Sequence, residues 1–178
     1  MISGFTRMAG VAALVLWSGA ALAQQTTERV AASQDWSIHE AANPKECFVA
    51  SQPKDSVNSR NGEVVAANRG DTPPQLTVTY RPANGVSGQI AFRGGNYQLA
   101  GGTTASIQIG GTTFQLFSEG EWAWPASPDD DARIVTAMRG GAEAIVTSQS
   151  GRGTLSRDTF SLIGFTAAVE EATRRCAG

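Results

Sequence analysis

Two cysteines, Cys47 and Cys176, place the strongest constraint on how this chain can fold, because Cys176 lies near the end of an amphipathic segment. Apolar residues recur there at the spacing of one helical face, namely Phe165, Ala168, Val169, Ala172 and Cys176. On the opposite face, Glu170 and Glu171 each precede an arginine by four residues, the favourable order for helical ion pairs. We therefore predict a C-terminal helix that turns Cys176 towards the body of the protein.

Residues 1–23 have the pattern of a cleaved signal peptide. Arg7 is the only charge, an apolar run follows from Ala9 to Trp17, and Ala21-Leu22-Ala23 fits the small-x-small cleavage rule. The apolar run is too short to span a bilayer. Cleavage at this point leaves residues 24–178 without a membrane span. The alternative is an N-terminal anchor that is not cleaved.

Export and the cysteine count together predict a disulfide. Exactly two cysteines in an exported protein indicate one bond, Cys47–Cys176, in a periplasmic or secreted protein. The alternatives are two free thiols or a metal-binding pair. A metal site needs more ligands than two cysteines and the single histidine. We predict no metal and no cofactor.

Composition narrows the class of protein and its partners. The chain has 14 Lys plus Arg against 16 Asp plus Glu, for a net charge of −2. Nucleic acids and anionic membranes attract basic clusters, so neither is a predicted partner. Residues 24–178 are long enough for one domain with a real core. The 20 glycines and the short Thr-rich apolar runs predict a mainly β fold.

About 8–10 short strands are predicted from alternating apolar residues. Gln75 to Tyr80 alternates cleanly, and two alternating segments flank Gly110-Gly111, which predicts a hairpin. Glu46 to Ala50 places the first cysteine on an early strand. Pro53 to Gly62 is polar, and we expect a loop that ends in a hairpin-type turn.

A second helix is predicted shortly before the C-terminal one. Ser127 is a typical N-cap, Pro128 suits the first helical position, and Asp129 and Asp130 favour the positive end of the helix dipole. Its apolar side comprises Ile134, Val135 and Met138. The predicted fold is an antiparallel β-sandwich or flattened barrel, with two helices near the C-terminus and the last one disulfide-linked to an early strand.

The segment Ser161-Leu-Ile-Gly-Phe-Thr-Ala-Ala168 resembles the invasion-associated locus B family of alphaproteobacterial exported proteins, as do Asp35-Trp36 and the position of Cys47. Asp131 to Thr147 also looks like that family. The resemblance implies a secreted or periplasmic, largely β protein. Some members in pathogens are linked to host-cell invasion, so an unidentified protein or an envelope or host surface is the implied partner.

The resemblance brings no active-site residues, because no catalytic activity is generally attached to the family. Several relatives carry a further cysteine just after the tryptophan-containing strand, whereas Ile38-His39-Glu40 has none. The predicted Cys47–Cys176 bond therefore depends on the cysteine count of this chain and not on the family pattern.

Catalysis finds little support in the sequence, and we predict a protein that is not an enzyme. His39 is the only histidine, and no Gly-x-Ser-x-Gly elbow is present. A hydrolase would need His39 beside a nucleophile and an orienting acid; the other interpretation is a surface strand residue. Glu119 and Glu121 could serve as glycosidase carboxylates or simply face solvent.

Three further motifs have a functional and a structural interpretation. Trp122 and Trp124 share one face of a short extended segment and could bind glycan or peptidoglycan, or pack in the core. Arg69-Gly70-Asp71 spells an integrin-recognition tripeptide, but Gly-rich turns produce the same letters. Asp129 to Asp131 could hold calcium, but the spacing of an EF-hand loop is absent. The function expected is protein or surface binding, with a glycan-binding or glycan-cleaving module as the alternative.

Overall fold

Antiparallel strands dominate the computed structural model, which describes residues 27–177 and, at Thr103 and Thr104, the backbone alone. The predicted signal peptide lies outside the described residues. The strands are β1 (Glu28–Ser33), β2 (Trp36–Ala41), β3 (Glu46–Ser51), β4 (Asp55–Arg60), β5 (Glu63–Val64), β6 (Gln75–Arg81), β7 (Val86–Arg93), β8 (Gly102–Ile109), β9 (Thr112–Glu119), β10 (Trp122–Trp124), β11 (Glu143–Gln149) and β12 (Leu155–Ser161). The helices are α1 (Pro128–Gly140) and α2 (Phe165–Cys176), and Pro82–Asn84 forms a 3-10 turn.

All twelve described strands belong to one open sheet in the order β1-β2-β3-β6-β7-β10-β9-β8-β11-β12-β4-β5. The sheet folds over on itself. Strands β3 and β4 are separated by three residues in the chain but stand near opposite ends of this order. The four steps from the last residue of β3 to the first of β4 span at most about 14 Å, so the two halves must face each other as the layers of a sandwich. The predicted mainly β, sandwich-like fold is confirmed.

Alternating apolar residues of the two halves form the core between them. Phe92 on β7 meets Phe160 on β12 edge to face, with 6.2 Å between ring centroids, and both side chains are fully buried. The Leu76, Val78 and Tyr80 face of β6 is buried as its alternation predicts. No helix within residues 27–177 is long and apolar enough to cross a membrane.

Helix α2 lies across β2, β3 and β6, and the predicted disulfide ties it there. Cys47 and Cys176 are bonded, with their Cα atoms 5.9 Å apart. The predicted apolar stripe of α2 is buried along its whole length. The ring of Phe165 meets that of Trp36 at 4.9 Å, edge to face. Sequence and structure therefore agree on how the C-terminus closes the fold.

Strand β7 pairs with β6 along one edge, but on its other edge β10 covers only Phe92 and Arg93, and helix α1 packs against β7. Ser127 caps the helix, and its Oγ accepts the Asp130 N–H at 3.2 Å, as predicted. Ile134 and Met138 enter the core. At the same edge, the carboxylate of Asp131 accepts the N–H of Ile90 at 2.8 Å and so takes the place of a strand carbonyl.

The predicted loop from Pro53 to Gly62 is wrong, since most of it forms β4. This strand pairs with β12 over five residues, and Asn61-Gly62 then makes the predicted tight turn into β5. Strand β4 lacks an apolar alternation because its inward neighbours are polar: Ser56 lies opposite Asp158, and Asn58 opposite Ser156. With β4 and β5 included, the described strands outnumber the 8–10 expected.

Candidate functional site

A polar cavity of about 790 Å³ opens at one end of the sandwich. Its walls come from three loops, residues 65–70, 96–98 and 150–152, and from Arg60, Glu121, Thr154 and Ser156. We call it the arginine cavity, because Arg60, Arg69 and Arg152 all line it. The site is concave, of the size that small-molecule sites have, and lined by polar groups from loops on a rigid sheet.

A row of polar side chains on three adjacent strands lies behind the arginine cavity, and one of them, Ser156, lines it. Ser156 and Asp158 stand on β12, with Asn58 on β4 and Ser148 on β11 beside them. Ser156 Oγ is hydrogen-bonded to Asn58 Oδ1 at 2.8 Å. Further along β12, the inward position passes to Phe160 and the apolar core. The interior of the sandwich is therefore polar at one end and apolar at the other.

Arg69 reaches into the sandwich and neutralises the buried carboxylate of Asp158. Asp158 is fully buried, and the Arg69 side chain is 10% exposed. The guanidinium makes a two-pronged contact with the carboxylate, with Nη2 at 2.7 Å. It also donates to Gly94 O and to the Tyr97 hydroxyl. A buried carboxylate needs such a partner, so this pair anchors the loop over the cavity.

These contacts decide the role of the Arg69-Gly70-Asp71 tripeptide. All the nitrogens of the Arg69 guanidinium are committed within the protein, so it is not available to an integrin. Gly70 has a φ of +77°, and a Cβ there would lie 2.5 Å from Asn96 Cβ. The glycine is required where two cavity loops cross. The structural interpretation of the motif therefore holds.

Arg60 and Arg152 give the arginine cavity a positive charge. Within the described residues neither forms an ion pair, whereas Glu121 is bound by Arg93 and Asp158 by Arg69. Arg60 donates to the Thr154 hydroxyl, and Arg152 is exposed. This cavity was not predicted from the sequence, because its residues come from five separate segments. The alternation of side chains along β12 could have indicated it. Asp158 is two residues from Phe160, so both side chains lie on the same, inward face.

Trp122 and Trp124 lie on the outer face of the sheet and not in the core. Ala123 between them is the buried residue, and both tryptophans are half-buried. Arg93 lies over the Trp122 ring at 5.6 Å, and Trp124 pairs with Phe117, which is 49% exposed. A shallow depression of about 520 Å³ borders Phe117 and Trp124. We call Phe117, Trp122 and Trp124 the aromatic row.

His39 lies on the outer face of β2 beside a serine. Its Nε2 is 2.9 Å from Ser37 Oγ, and its ring stacks on Phe48 at 4.6 Å. Burial lowers the pKa of His39, and nearby Arg29 lowers it further. Ser37 already donates to Ala50 O, and within residues 27–177 no carboxylate orients the histidine. The serine and histidine are brought together without the third member of a triad.

The predicted carboxylate groups are not arranged as a catalytic pair or a metal site. Glu121 is held by Arg93 at the edge of the arginine cavity, while Glu119 lies on the outer face opposite Trp122. In the Asp129 to Asp131 run, Asp131 turns towards β7 and accepts the Ile90 N–H. No cluster of three metal-ligating side chains occurs in the part of the chain that the structure describes.

Comparison with known proteins identifies no relative from which a function could be transferred. No family model matches the sequence, no curated protein matches it, and no solved structure matches the fold. The disulfide-closed sandwich, the arginine cavity and the aromatic row are the features from which function can be inferred.

Proposed function

We propose that this chain is an exported binding protein of the invasion-associated locus B type, which acts in the envelope or outside the cell without catalysis. One observation carries the proposal: the separate segments that resemble the family meet in space. The Trp36 indole donates to Ser161 O at 3.0 Å, and the Asp35 N–H donates to Ile163 O at 3.4 Å. Contact between the two segments is expected if their residues serve to close the fold that the family shares.

The Cys47–Cys176 disulfide supports export. Disulfides form and persist in oxidising compartments such as the periplasm or the extracellular medium, and the bond is consistent with that location. The N-terminal pattern of residues 1–23 supports the same compartment from the sequence. A binding role fits a rigid sheet that presents one polar cavity and one exposed aromatic row.

Expression of the full chain in a Gram-negative bacterium tests export, with a form lacking residues 2–23 as the control. We expect the full chain to be found outside the cytoplasm, to start at Gln24 and to have no alkylatable thiol. The control should stay in the cytoplasm with two alkylatable thiols. Retention of the full chain in the cytoplasm would rule out the exported role.

Crosslinking in the native envelope tests the binding role by identifying the partner that is captured. A hydrolase panel tests the absence of catalysis. Turnover that depends on His39 would contradict the non-catalytic role.

Glycan binding by the aromatic row is the second candidate function. The outward orientation of Trp122 and Trp124 favours it, because a core role would have buried them. Exposed aromatic rings provide a flat apolar face to which a partly apolar ligand can bind. Binding is favoured over cleavage, since Arg93 holds the Glu121 carboxylate.

Retention on insoluble peptidoglycan tests this candidate with the double variant Trp122→Ala plus Trp124→Ala. We expect retention to be lost while the circular dichroism spectrum is unchanged. Val57→Ala plus Leu155→Ala is the matched control, because these two side chains are 42% and 44% exposed elsewhere on the sheet. Equal retention of both double variants would exclude the aromatic row as the binding surface.

A further inference from the structure

The arginine cavity contains guanidinium charge that no carboxylate of the described residues neutralises, although Arg60 also donates to the Thr154 hydroxyl through Nε and Nη2. Arg60 and Arg152 line it without a carboxylate partner in the described residues, and the third arginine is neutralised by Asp158. A planar guanidinium binds a carboxylate or a phosphate through two parallel hydrogen bonds. The uncompensated charge therefore favours an anionic ligand.

Neutral polar groups make up much of the remaining lining. Asn68 and Gln98 contribute amides, and Ser150 and Thr154 contribute hydroxyls. The ring of Tyr97 adds an aromatic surface. Groups that both donate and accept hydrogen bonds suit a ligand with several hydroxyls. A volume of about 790 Å³ can hold one or two sugar rings.

Backbone N–H groups of the 150–154 loop argue against a phosphate. Phosphate sites commonly cradle the anion with free backbone N–H groups. Here the N–H groups of Ser150 and Gly153 are bonded within the loop, at 2.8 Å each. Those of Gly151 and Thr154 bond to Gln98 O and Ser150 Oγ. Anion recognition is therefore left to the arginine side chains.

The hydroxyl of Ser148 provides an independent observation. Ser148 is fully buried, and within the described residues its Oγ has no hydrogen-bond partner. Its cross-strand partner Ser156 lines the arginine cavity. A buried polar atom without a partner is rare in a native fold and calls for an explanation. Ser148 does not itself line the cavity, so a water molecule that hydrates the ligand beside Ser156 is the group that would satisfy it.

We propose that the arginine cavity binds a small acidic sugar, whose carboxylate is held by Arg60 and Arg152 and whose hydroxyls contact the amide and hydroxyl lining. This site is separate from the aromatic row. It also does not depend on membership of the invasion-associated locus B family, so its failure would leave the proposed function standing.

Titration of the oxidised, isotope-labelled protein with galacturonate, monitored by amide NMR, tests the proposal. Galactose, acetate and inorganic phosphate serve as separate probes. Galactose lacks the carboxylate, acetate lacks the hydroxyls, and phosphate is an anion of different shape. We expect saturable shifts for galacturonate at cavity amides such as those of Tyr97, Gln98 and Gly151, and weaker binding of the other three.

Arg152→Gln and Arg60→Gln are the diagnostic variants. Each removes one charge-assisted contact, so each is expected to weaken galacturonate binding by about tenfold or more. Arg157→Gln is the matched control, because Arg157 lies on β12 next to Ser156 but points to the outer face. Its affinity for galacturonate should be unchanged.

Four outcomes would overturn the proposal. Absence of saturable shifts would show that the cavity does not bind the acidic sugar. Equal or tighter binding of phosphate or acetate would indicate a general anion site, and equal binding of galactose would remove the role of the carboxylate. An equal loss of affinity in Arg157→Gln would show that only net charge matters.

Discussion

Two carboxylates are buried among residues 27–177, and they differ in what faces them. Asp158 meets the Arg69 guanidinium, whereas Asp131 accepts only the N–H of Ile90. Burial is the main cause that raises the pKa of Asp131 to about 6; the hydrogen bond from Ile90 acts against it, and the neighbouring Asp130 adds to it. The folded state therefore binds a proton at Asp131 more tightly than the unfolded chain does.

Asp131→Asn should stabilise the protein at neutral pH. A raised carboxyl pKa contributes stability that is fully present below about pH 4 and lost as the pH rises through about 6. Ionisation of Asp131 therefore lowers the free energy of unfolding by at most about 3 kcal/mol. The favourable interaction of the charged carboxylate with the helix N-terminus reduces this loss. The amide oxygen can still accept the Ile90 N–H. Urea unfolding at pH 4 and pH 7 measures the difference.

Asp129→Asn is the control for that prediction, since Asp129 is exposed in the same helical turn. At neither pH should Asp129→Asn be more stable than the native chain. If Asp131→Asn proved equally or less stable than the native chain at pH 7, the raised pKa of Asp131 would be contradicted.

Arg69→Met should be strongly destabilising, because it leaves Asp158 buried without a cation. Breaking a buried pair costs about 3–5 kcal/mol, whereas replacing both charges by apolar groups is often nearly neutral. The double variant Arg69→Met plus Asp158→Leu should therefore recover much of the loss in urea unfolding. Arg152→Gln, at an exposed arginine of the same cavity, should change the free energy of unfolding by less than about 0.5 kcal/mol.

At the scale of elements, α2 is attached to the sheet by a covalent bond and by a close backbone approach. Cys176 is bonded to Cys47 on β3. At the other end of the helix, Gly164 has a φ of +87°, and a Cβ there would lie 2.2 Å from Ser33 O. The helix therefore enters against the β1–β2 turn at a point where no side chain fits. This explains in physical terms the glycine of the segment that resembles a known family.

Cys47→Ala plus Cys176→Ala should lower the free energy of unfolding by about 5 kcal/mol in the chain-entropy model, since the bond spans 129 residues. Chemical denaturation of the native and double-alanine proteins under non-reducing conditions measures this difference. Reduction of the native protein is the second measurement and should shift its midpoint in the same direction. Equal midpoints in all three samples would show that the bond does not stabilise the fold.

The whole molecule is an apolar sandwich with one polar end. Strands β6 and β7 lie inside the sheet, while β1 and β5 form its open edges. Helix α2 and the disulfide close the fold on β2, β3 and β6, whereas the arginine cavity opens between loops that the buried Arg69–Asp158 pair anchors. The helix and disulfide that close the fold are thus separated in space from the opening of the arginine cavity.

Native-state hydrogen exchange should follow this arrangement. Amides of β6 and the paired part of β7 are expected to exchange through global unfolding, because both sides of β6 are hydrogen-bonded and its core face is buried. Amides of β1 and β5 should exchange by local opening, and cavity loop 150–152 should be intermediate. Equal protection of β5 and β6 would contradict this distribution of stability.

Much of the fold was predictable because local chemistry repeats along the chain. The Leu76, Val78 and Tyr80 alternation predicts β6, and the Ser127 cap predicts α1. β4 was not predictable, since its backbone bonds are satisfied by β12 and its polar inward side chains give no alternation. The orientation of Trp122 and Trp124 was also undetermined, because same-face tryptophans fit the core and the surface equally well.

The sequence by itself determined the mainly β class and the C-terminal helix, because the spacing of apolar residues is a local property of the chain. It also determined the Cys47–Cys176 bond, because two cysteines allow only one pairing within the chain. Only the tertiary structure decided that Arg60, Arg69 and Arg152 line one cavity and that Asp158 neutralises just one of them. Those residues belong to strands and loops far apart in the chain. Their electrostatics depends on which charges the folded sheet brings within bonding distance.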